Sequence, residues 1–232
     1  MLESKITDLS EELRRFLTEK GAELVGFGDM RGVNNCSLPV GVSVAVTIPR
    51  EILREIEEGP TKSYYALYNE LNNKLDKLVS AGADFLKAKG YLAFPQTTGA
   101  VSLNEDWRTK IPHKTVATAA GLGWIGRNCL LVTEKYGSAI RLSSLITDAP
   151  LILEKAVKTS KCGDCHICCN VCPAHALKDV LWCVDVDRGE MLEKEKCKEK
   201  QIELMRERTG LEVDLCGQCF VHCPYTRRYL NG

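Results

Sequence analysis

Apolar positions along the chain repeat with the spacing of helices in some segments and of strands in others. Residues 3–18 and about 62–88 carry apolar side chains every three or four positions, which predicts two amphipathic helices, with Gly90 at the end of the second. Residues 41–49 alternate valine or isoleucine with small residues, as a strand with a buried face does. The first part of the chain is therefore predicted to be an α/β body.

Shorter elements fill the rest of this body. The pattern predicts strands at AELVGFGDM (22–30) and YLAFP (91–95), a polar loop over 97–112, a short helix at HKTVATAA (113–120), and two strands within 128–148 around a turn at 134–137. Beyond them, residues 190–208 are strongly helical in composition and are expected to form one helix that ends at Gly210.

The cysteines are concentrated in the last third of the chain. Of twelve cysteines in 232 residues, only Cys36 and Cys129 precede residue 162. No signal peptide is recognisable in the charged N-terminal segment, so metal ligation is favoured over disulfides. We predict an α+β protein with an α/β body over 1–158 and a metal-bearing domain over 159–232.

Charge and hydropathy exclude several classes of protein. Thirty-one basic residues balance thirty-one acidic ones, which argues against a broad nucleic-acid-binding surface. No apolar run approaches the roughly 18 residues that a membrane span needs. The expectation is a cytoplasmic protein without a membrane partner.

The first cysteine constellation has the spacing of a two-cluster ferredoxin. Cys162, Cys165 and Cys168 follow one another at three-residue intervals, and Cys172 precedes Pro173. In that pattern three cysteines hold one cluster and the fourth ligates the other. Pro173 suits the first position of a helix, so a helix is expected to begin there.

The second constellation repeats the pattern without its first cysteine. Cys216, Cys219 and Cys223 precede Pro224, so an eighth ligand must come from elsewhere. Cys197 is the choice and Cys183 the alternative. The predicted assembly places one [4Fe–4S] cluster on Cys162, Cys165, Cys168 and Cys223, and the other on Cys172, Cys197, Cys216 and Cys219.

Two zinc knuckles are the competing interpretation of these cysteines. Zinc needs only four ligands per site, commonly from two Cys-x-x-Cys pairs, so the two trailing Cys-Pro pairs favour iron and sulfide. His166, His175 and His222 lie within the cysteine segments and are interpreted as structural. His113 precedes a helix in the body and is a candidate for a cofactor or substrate contact.

The segment Ala120–Asn128, followed by two strands and the Cys162–Pro173 run, resembles the epoxyqueuosine reductase family, in particular its short double-cluster forms. The resemblance covers about residues 60–232 and extends to reductive dehalogenases. It implies a nitroreductase-like body that binds cobalamin, beside a two-cluster ferredoxin-like domain. In such reductases two [4Fe–4S] clusters pass electrons to a corrinoid, which reduces the substrate.

The resemblance also implies positions for the cofactor and for catalysis. Corrinoid contacts are expected near Leu131, Leu142, Lys198 and the Cys216–Gly217 pair, with Arg141 as a candidate for an amide or phosphate contact. The proton-donating aspartate of the family aligns with Trp107, next to Asp106, and a nearby family glutamate aligns with His113. Asp106 and His113 are therefore the candidate catalytic residues.

Several partners follow from these expectations. A low-potential donor such as ferredoxin or flavodoxin would supply electrons, and the substrate would be a small molecule or a corrinoid protein. A tRNA substrate is not well supported, because the net charge is zero and the helical-repeat region that full-length epoxyqueuosine reductases use for tRNA is missing. Two alternatives remain: an electron-transfer or reductive-activation protein for a partner's corrinoid, and a domain in which the clusters are only structural.

Overall fold

The computed structural model describes residues 2–102 and 109–232, except the side chains of residues 2–5 and 7. The chain divides into two compact units. One consists of Met1–Val46, Leu71–Leu122 and Arg141–Val157, and the other of Thr47–Glu70, Gly123–Ile140 and Lys158–Gly232. No helix within the described residues is both long and apolar enough to cross a membrane.

The first unit is built on a four-stranded sheet. Its strands are β1 (Leu24–Asp29), β2 (Val40–Thr47), β3 (Ala93–Pro95) and β6 (Ile140–Thr147), in the order β1-β2-β6-β3. The pairs β1–β2 and β3–β6 are antiparallel, with Val25 opposite Val44 and Phe94 opposite Ile146. All but the last residue of β2 are buried, because this strand lies inside the sheet.

Three helices contribute to this sheet unit. They are α1 (Leu2–Glu19), α4 (His113–Ala119) and part of α3 (Lys62–Ala88). The end of α4 lies directly on β1. A Cβ atom added to Gly26 would be 2.6 Å from the Ala120 carbonyl oxygen, and one added to Gly28 would be equally close to the peptide between Ala119 and Ala120. The two glycines therefore allow the helix to approach the strand more closely than larger residues would.

The second unit is mostly short helices joined by loops. Its elements are α2 (Arg50–Glu55), a 3₁₀ turn (Ile56–Glu58), the ribbon of β4 (Trp124–Ile125) and β5 (Leu131–Val132), α5 (Ile167–Asn170), α6 (Arg188–Met191), α7 (Lys194–Thr209), α8 (Gln218–Val221) and α9 (Pro224–Asn231). Their core combines apolar side chains, such as those of Trp124 and Met205, with the buried Cys168, Cys172 and Cys223.

Two local predictions were wrong, and a third, of two strands, was confirmed. No helix begins at Pro173, because His175 has a left-handed backbone (φ 46°) that a continuing helix does not allow. The expected helix over 190–208 is interrupted at Leu192, which is extended and pairs with Leu177. The two strands predicted within 128–148 exist but lie in different sheets, since β5 pairs with β4.

Candidate functional site

The cysteine segments are brought together inside the second unit. Cys168, Cys172 and Cys223 are buried, and Cys162, Cys165, Cys197, Cys216 and Cys219 are partly buried. Backbone turns shape the segments, because the N–H of Cys165 donates to the Cys162 carbonyl and the N–H of Cys172 donates to the Cys169 carbonyl. Pro224 is the first residue of α9, as expected from its missing N–H, and Cys223 is the N-cap.

Electrostatic interactions among the thiols identify a first group of neighbours. Burial raises the pKa of Cys168 far above its ordinary value, and the neighbouring Cys169 and then the thiols of Cys162 and Cys223 raise it further. Burial also raises the pKa of Cys223, with contributions from Cys162 and Cys165. The four predicted ligands among these thiols lie close enough to repel one another when ionised.

A second group involves the other four cysteines. Burial raises the pKa of Cys216 to about 11, and Cys197 and Cys172 add to the shift. The pKa of Cys219 is raised well above its ordinary value, first by burial and then by Cys216, Cys197 and, in smaller part, Cys168 and Cys172. Cys168 is thus the cysteine that interacts with both groups.

Backbone N–H groups moderate these shifts at two helix starts. The N–H groups of Tyr225 and Thr226 hydrogen-bond the Cys223 thiol and lower its pKa, and the N–H of Gln218 does the same for Cys216. Donors aimed at sulfur stabilise the thiolate, which is the form that binds metal. The site therefore combines buried thiols with donors that favour their ionised state.

The two remaining cysteines of this region differ in position. Cys183 forms a short antiparallel bridge with Thr159, flanked by the hydrogen bonds from Ser160 N to Trp182 O and from Val184 N to Lys158 O. The Cys169 thiol lies 3.5 Å from a carboxylate oxygen of Asp179. Cys183 is thus part of a small ladder, and Cys169 has an acidic neighbour.

Sequence reasoning missed a residue that contacts the cysteine segments. The side chain of Arg127 is only 7% exposed and donates to the Gly163 carbonyl at 2.9 Å, to the Asp179 carbonyl at 2.6 Å and to the Asp179 carboxylate at 2.9 Å. Its partners lie 36 and 52 positions away in the chain, so no local pattern could reveal the contact.

Polar side chains form a separate cluster in the sheet unit. His113 is half-buried, and its Nδ1 lies 2.8 Å from the Ser144 hydroxyl, to which Gln96 Nε2 also donates at 2.8 Å. Arg141 donates to the Asn72 side-chain oxygen at 2.7 Å. Burial lowers the pKa of His113 to about 4, with the Arg141 charge adding to the shift and Asp76 opposing it. The imidazole is therefore neutral at neutral pH.

The other predicted site residues fall in both units. Arg141 and Leu142 belong to the sheet unit and are half-buried. Leu131, Lys198, Cys216 and Gly217 belong to the second unit, where Leu131 is buried and the other three are half-buried. Gly217 has a left-handed backbone (φ 95°) at the start of α8, a conformation that favours glycine. Asp106 lies outside the described residues.

No family model matches the chain, but comparisons by sequence and by structure both find epoxyqueuosine reductases. The epoxyqueuosine reductase of Pseudomonas aeruginosa is 29% identical over 180 residues, which are 72% of this chain and 45% of that protein. A solved epoxyqueuosine reductase bound to an epoxyqueuosine-modified tRNA-Tyr stem loop matches 95% of this chain and 66% of its own, at 21% identity and a TM-score of 0.59.

A reductive dehalogenase shares the same fold. Its structure, described with a mechanism for B12-dependent dehalogenation, matches 97% of this chain and 34% of its own length, at 17% identity and a TM-score of 0.69. The chain thus has the mixed helix and strand fold common to epoxyqueuosine reductases and reductive dehalogenases. Its sequence is similar to curated epoxyqueuosine reductases, as predicted, and it spans less than half the length of the curated relative.

The environment of His113 predicts a specific pH response. The folded state keeps the His113 imidazole neutral. The side chain therefore makes its full contribution to the free energy of unfolding above its unfolded pKa of about 6.5, and this contribution is lost as the pH falls toward 4. We expect the free energy of unfolding to fall by an extra 1–3 kcal/mol or so between pH 7 and 4.5, relative to His113→Gln. Equal pH dependence of the two proteins in chemical denaturation would contradict this assignment.

Proposed function

We propose that the chain is an iron–sulfur, cobalamin-dependent reductase of the epoxyqueuosine reductase type, with two [4Fe–4S] clusters. The observation that carries the proposal is that eight cysteines with the spacing of a two-cluster ferredoxin lie buried or partly buried in one compact unit. All eight lie within 159–232, which we propose as the two-cluster ferredoxin-like domain, and 1–158 as the corrinoid-binding body.

The chemistry of the thiols fits iron–sulfur clusters. Buried thiols with raised pKa values stay protonated in the metal-free chain, and a bound cationic metal core would deprotonate them. Among the described residues, no three His, Cys, Asp or Glu side chains converge at the distances that a single metal ion requires. The eight cysteines have the spacing of a two-cluster ferredoxin, which favours clusters over zinc knuckles, since zinc needs only four ligands per site.

Cys197 is the proposed eighth ligand. Its thiol interacts with Cys172, and it contributes to the raised pKa of both Cys216 and Cys219. It lies on the first turn of α7, and Gln201 Nε2 donates to its sulfur at 2.9 Å. Cys183 instead belongs to the ladder with Thr159. These contacts favour Cys197 over Cys183.

The residues that the family resemblance aligns with corrinoid contacts are each proposed, within their own unit, to contact the corrinoid. Arg141, Leu142, Lys198, Cys216 and Gly217 are half-buried, so they retain surface for a ligand, and Arg141 supplies donors suited to amide or phosphate groups. The Leu131 side chain is buried, so it would support the neighbouring residues and would not itself expose a surface to the corrinoid. When bound, the clusters supply single electrons and a corrinoid supplies metal-centred reduction of the substrate.

The two candidate catalytic residues are assigned different roles. A histidine that is neutral at neutral pH is a weak proton donor, so we propose that His113 positions the substrate by a hydrogen bond. Ser144 holds Nδ1 of the ring, which leaves Nε2 for that contact. Asp106, next to the position of the family's proton donor, is the proposed source of the proton.

The substrate is proposed by similarity. A related reductase was solved with an epoxyqueuosine-modified tRNA stem loop, which makes a modified nucleoside in RNA a candidate here, although zero net charge had argued against tRNA. A small molecule is the other candidate. A low-potential ferredoxin or flavodoxin is the proposed electron donor.

The ligand assignment predicts the effects of two serine substitutions. Anaerobically prepared Cys197→Ser should lose the cluster that it shares and fall from about eight iron atoms per chain to about four. Cys183→Ser should keep the full content and serves as the matched control. Iron loss that follows Cys183→Ser instead would reverse the assignment.

Binding of free cobalamin tests the cofactor. Titration of the anaerobic, iron-loaded chain should change the cobalamin absorption spectrum, and Arg141→Gln should weaken binding by roughly tenfold, or about 1.4 kcal/mol. Arg206→Gln, which removes a charge from an exposed ion pair with Glu212, is the control. An iron-loaded chain that binds a corrinoid protein but no free cobalamin would favour the alternative, an electron-transfer or reductive-activation protein for a partner's corrinoid.

A further inference from the structure

Arg127 and Asp179 form an ion pair beside the first cysteine segment. The Arg127 guanidinium is almost fully buried, whereas the Asp179 side chain is 44% exposed. Removing a guanidinium from water is costly unless its donors are used, and two of its nitrogens make three hydrogen bonds here. These three hydrogen bonds indicate that Arg127 does more than pack in the interior.

The guanidinium connects two turns that have left-handed backbones. Gly163, between Cys162 and Cys165, has φ 53°, and Asp179 has φ 58°. Arg127 donates to the carbonyl oxygen of both residues. It therefore fixes the loop that carries Cys162 and Cys165 to a second loop 16 residues further along the chain.

Asp179 connects the pair to the short helix of this segment. His166 Nδ1 lies 2.7 Å from both Asp179 carboxylate oxygens, and the Cys169 thiol lies 3.5 Å from one of them. One positive and one negative charge thus lie beside the first cysteine segment.

The Arg127 Nε adds a further observation. This nitrogen is buried and has no hydrogen-bond partner among the described residues, although buried donors are normally paired. A sulfide or thiolate of an assembled cluster is the kind of acceptor that would satisfy it.

We propose that Arg127 and Asp179 are positioning residues that fix the Cys162–Cys168 loop and set the reduction potential of the cluster held by Cys162, Cys165, Cys168 and Cys223. The inference rests on the proposed function, since it needs that cluster. A nearby cation favours the reduced, more negative cluster, and a nearby carboxylate disfavours it. The two residues therefore shift the potential in opposite directions.

Redox titration of the iron-loaded full chain, followed by EPR, tests this inference. Arg127→Gln should lower one of the two cluster potentials, and Asp179→Asn should raise the same one. We expect each shift to correspond to at least a tenfold change in the equilibrium constant for reduction, about 59 mV for one electron.

Three further variants separate this role from a structural one. Asparagine tolerates a left-handed backbone, so Asp179→Asn keeps the turn and carries the test if Arg127→Gln fails to fold. Arg127→Lys keeps the positive charge but loses the planar set of guanidinium donors. The cluster potential of this variant should stay near that of the unsubstituted chain, while a chelator should remove iron from the variant faster. Arg206→Gln controls for a distant charge.

The possible failures are distinguishable. Potentials of Arg127→Gln and Asp179→Asn that match the Arg206→Gln control, or that shift in the same direction, would overturn the role of the pair in an iron-loaded chain. A full-length, unsubstituted chain without iron would overturn the proposed function itself.

Discussion

The gathering of eight buried or partly buried thiols in one small unit is the constraint on which the rest of this structure depends. Desolvation raises the pKa of Cys168, Cys216 and Cys219, and ionised neighbours would repel one another. In the proposed function, a bound cationic core would resolve both problems, because it would ionise the thiols and link the segments that carry them.

The surrounding elements are organised around this constraint. The second unit collects Thr47–Glu70 and Gly123–Ile140 in addition to the cysteine-rich segment. Thr226, in the first turn of α9, accepts a hydrogen bond from the Ser138 N–H, and the Trp124 and Tyr225 rings meet edge to face. Residues far from the cysteines in the chain therefore support the helix that follows Cys223.

Sequence reasoning worked where a pattern is local. The helices α3 and α4, the strand β2 and the end of α7 at Gly210 were confirmed, because periodicity and a left-handed glycine are properties of neighbouring residues. It failed at Pro173, because His175 has a left-handed backbone, and at Leu192, which pairs with Leu177. The partners of Arg127 and His113 are distant in the chain, so only the folded structure could reveal them.

The account is tested most directly by the metal content of the full chain prepared without oxygen. We predict about eight iron and eight sulfide per chain, a brown colour and, after reduction, the EPR signals of two interacting [4Fe–4S] clusters. A colourless protein that carries zinc on the same cysteines would contradict the central claim.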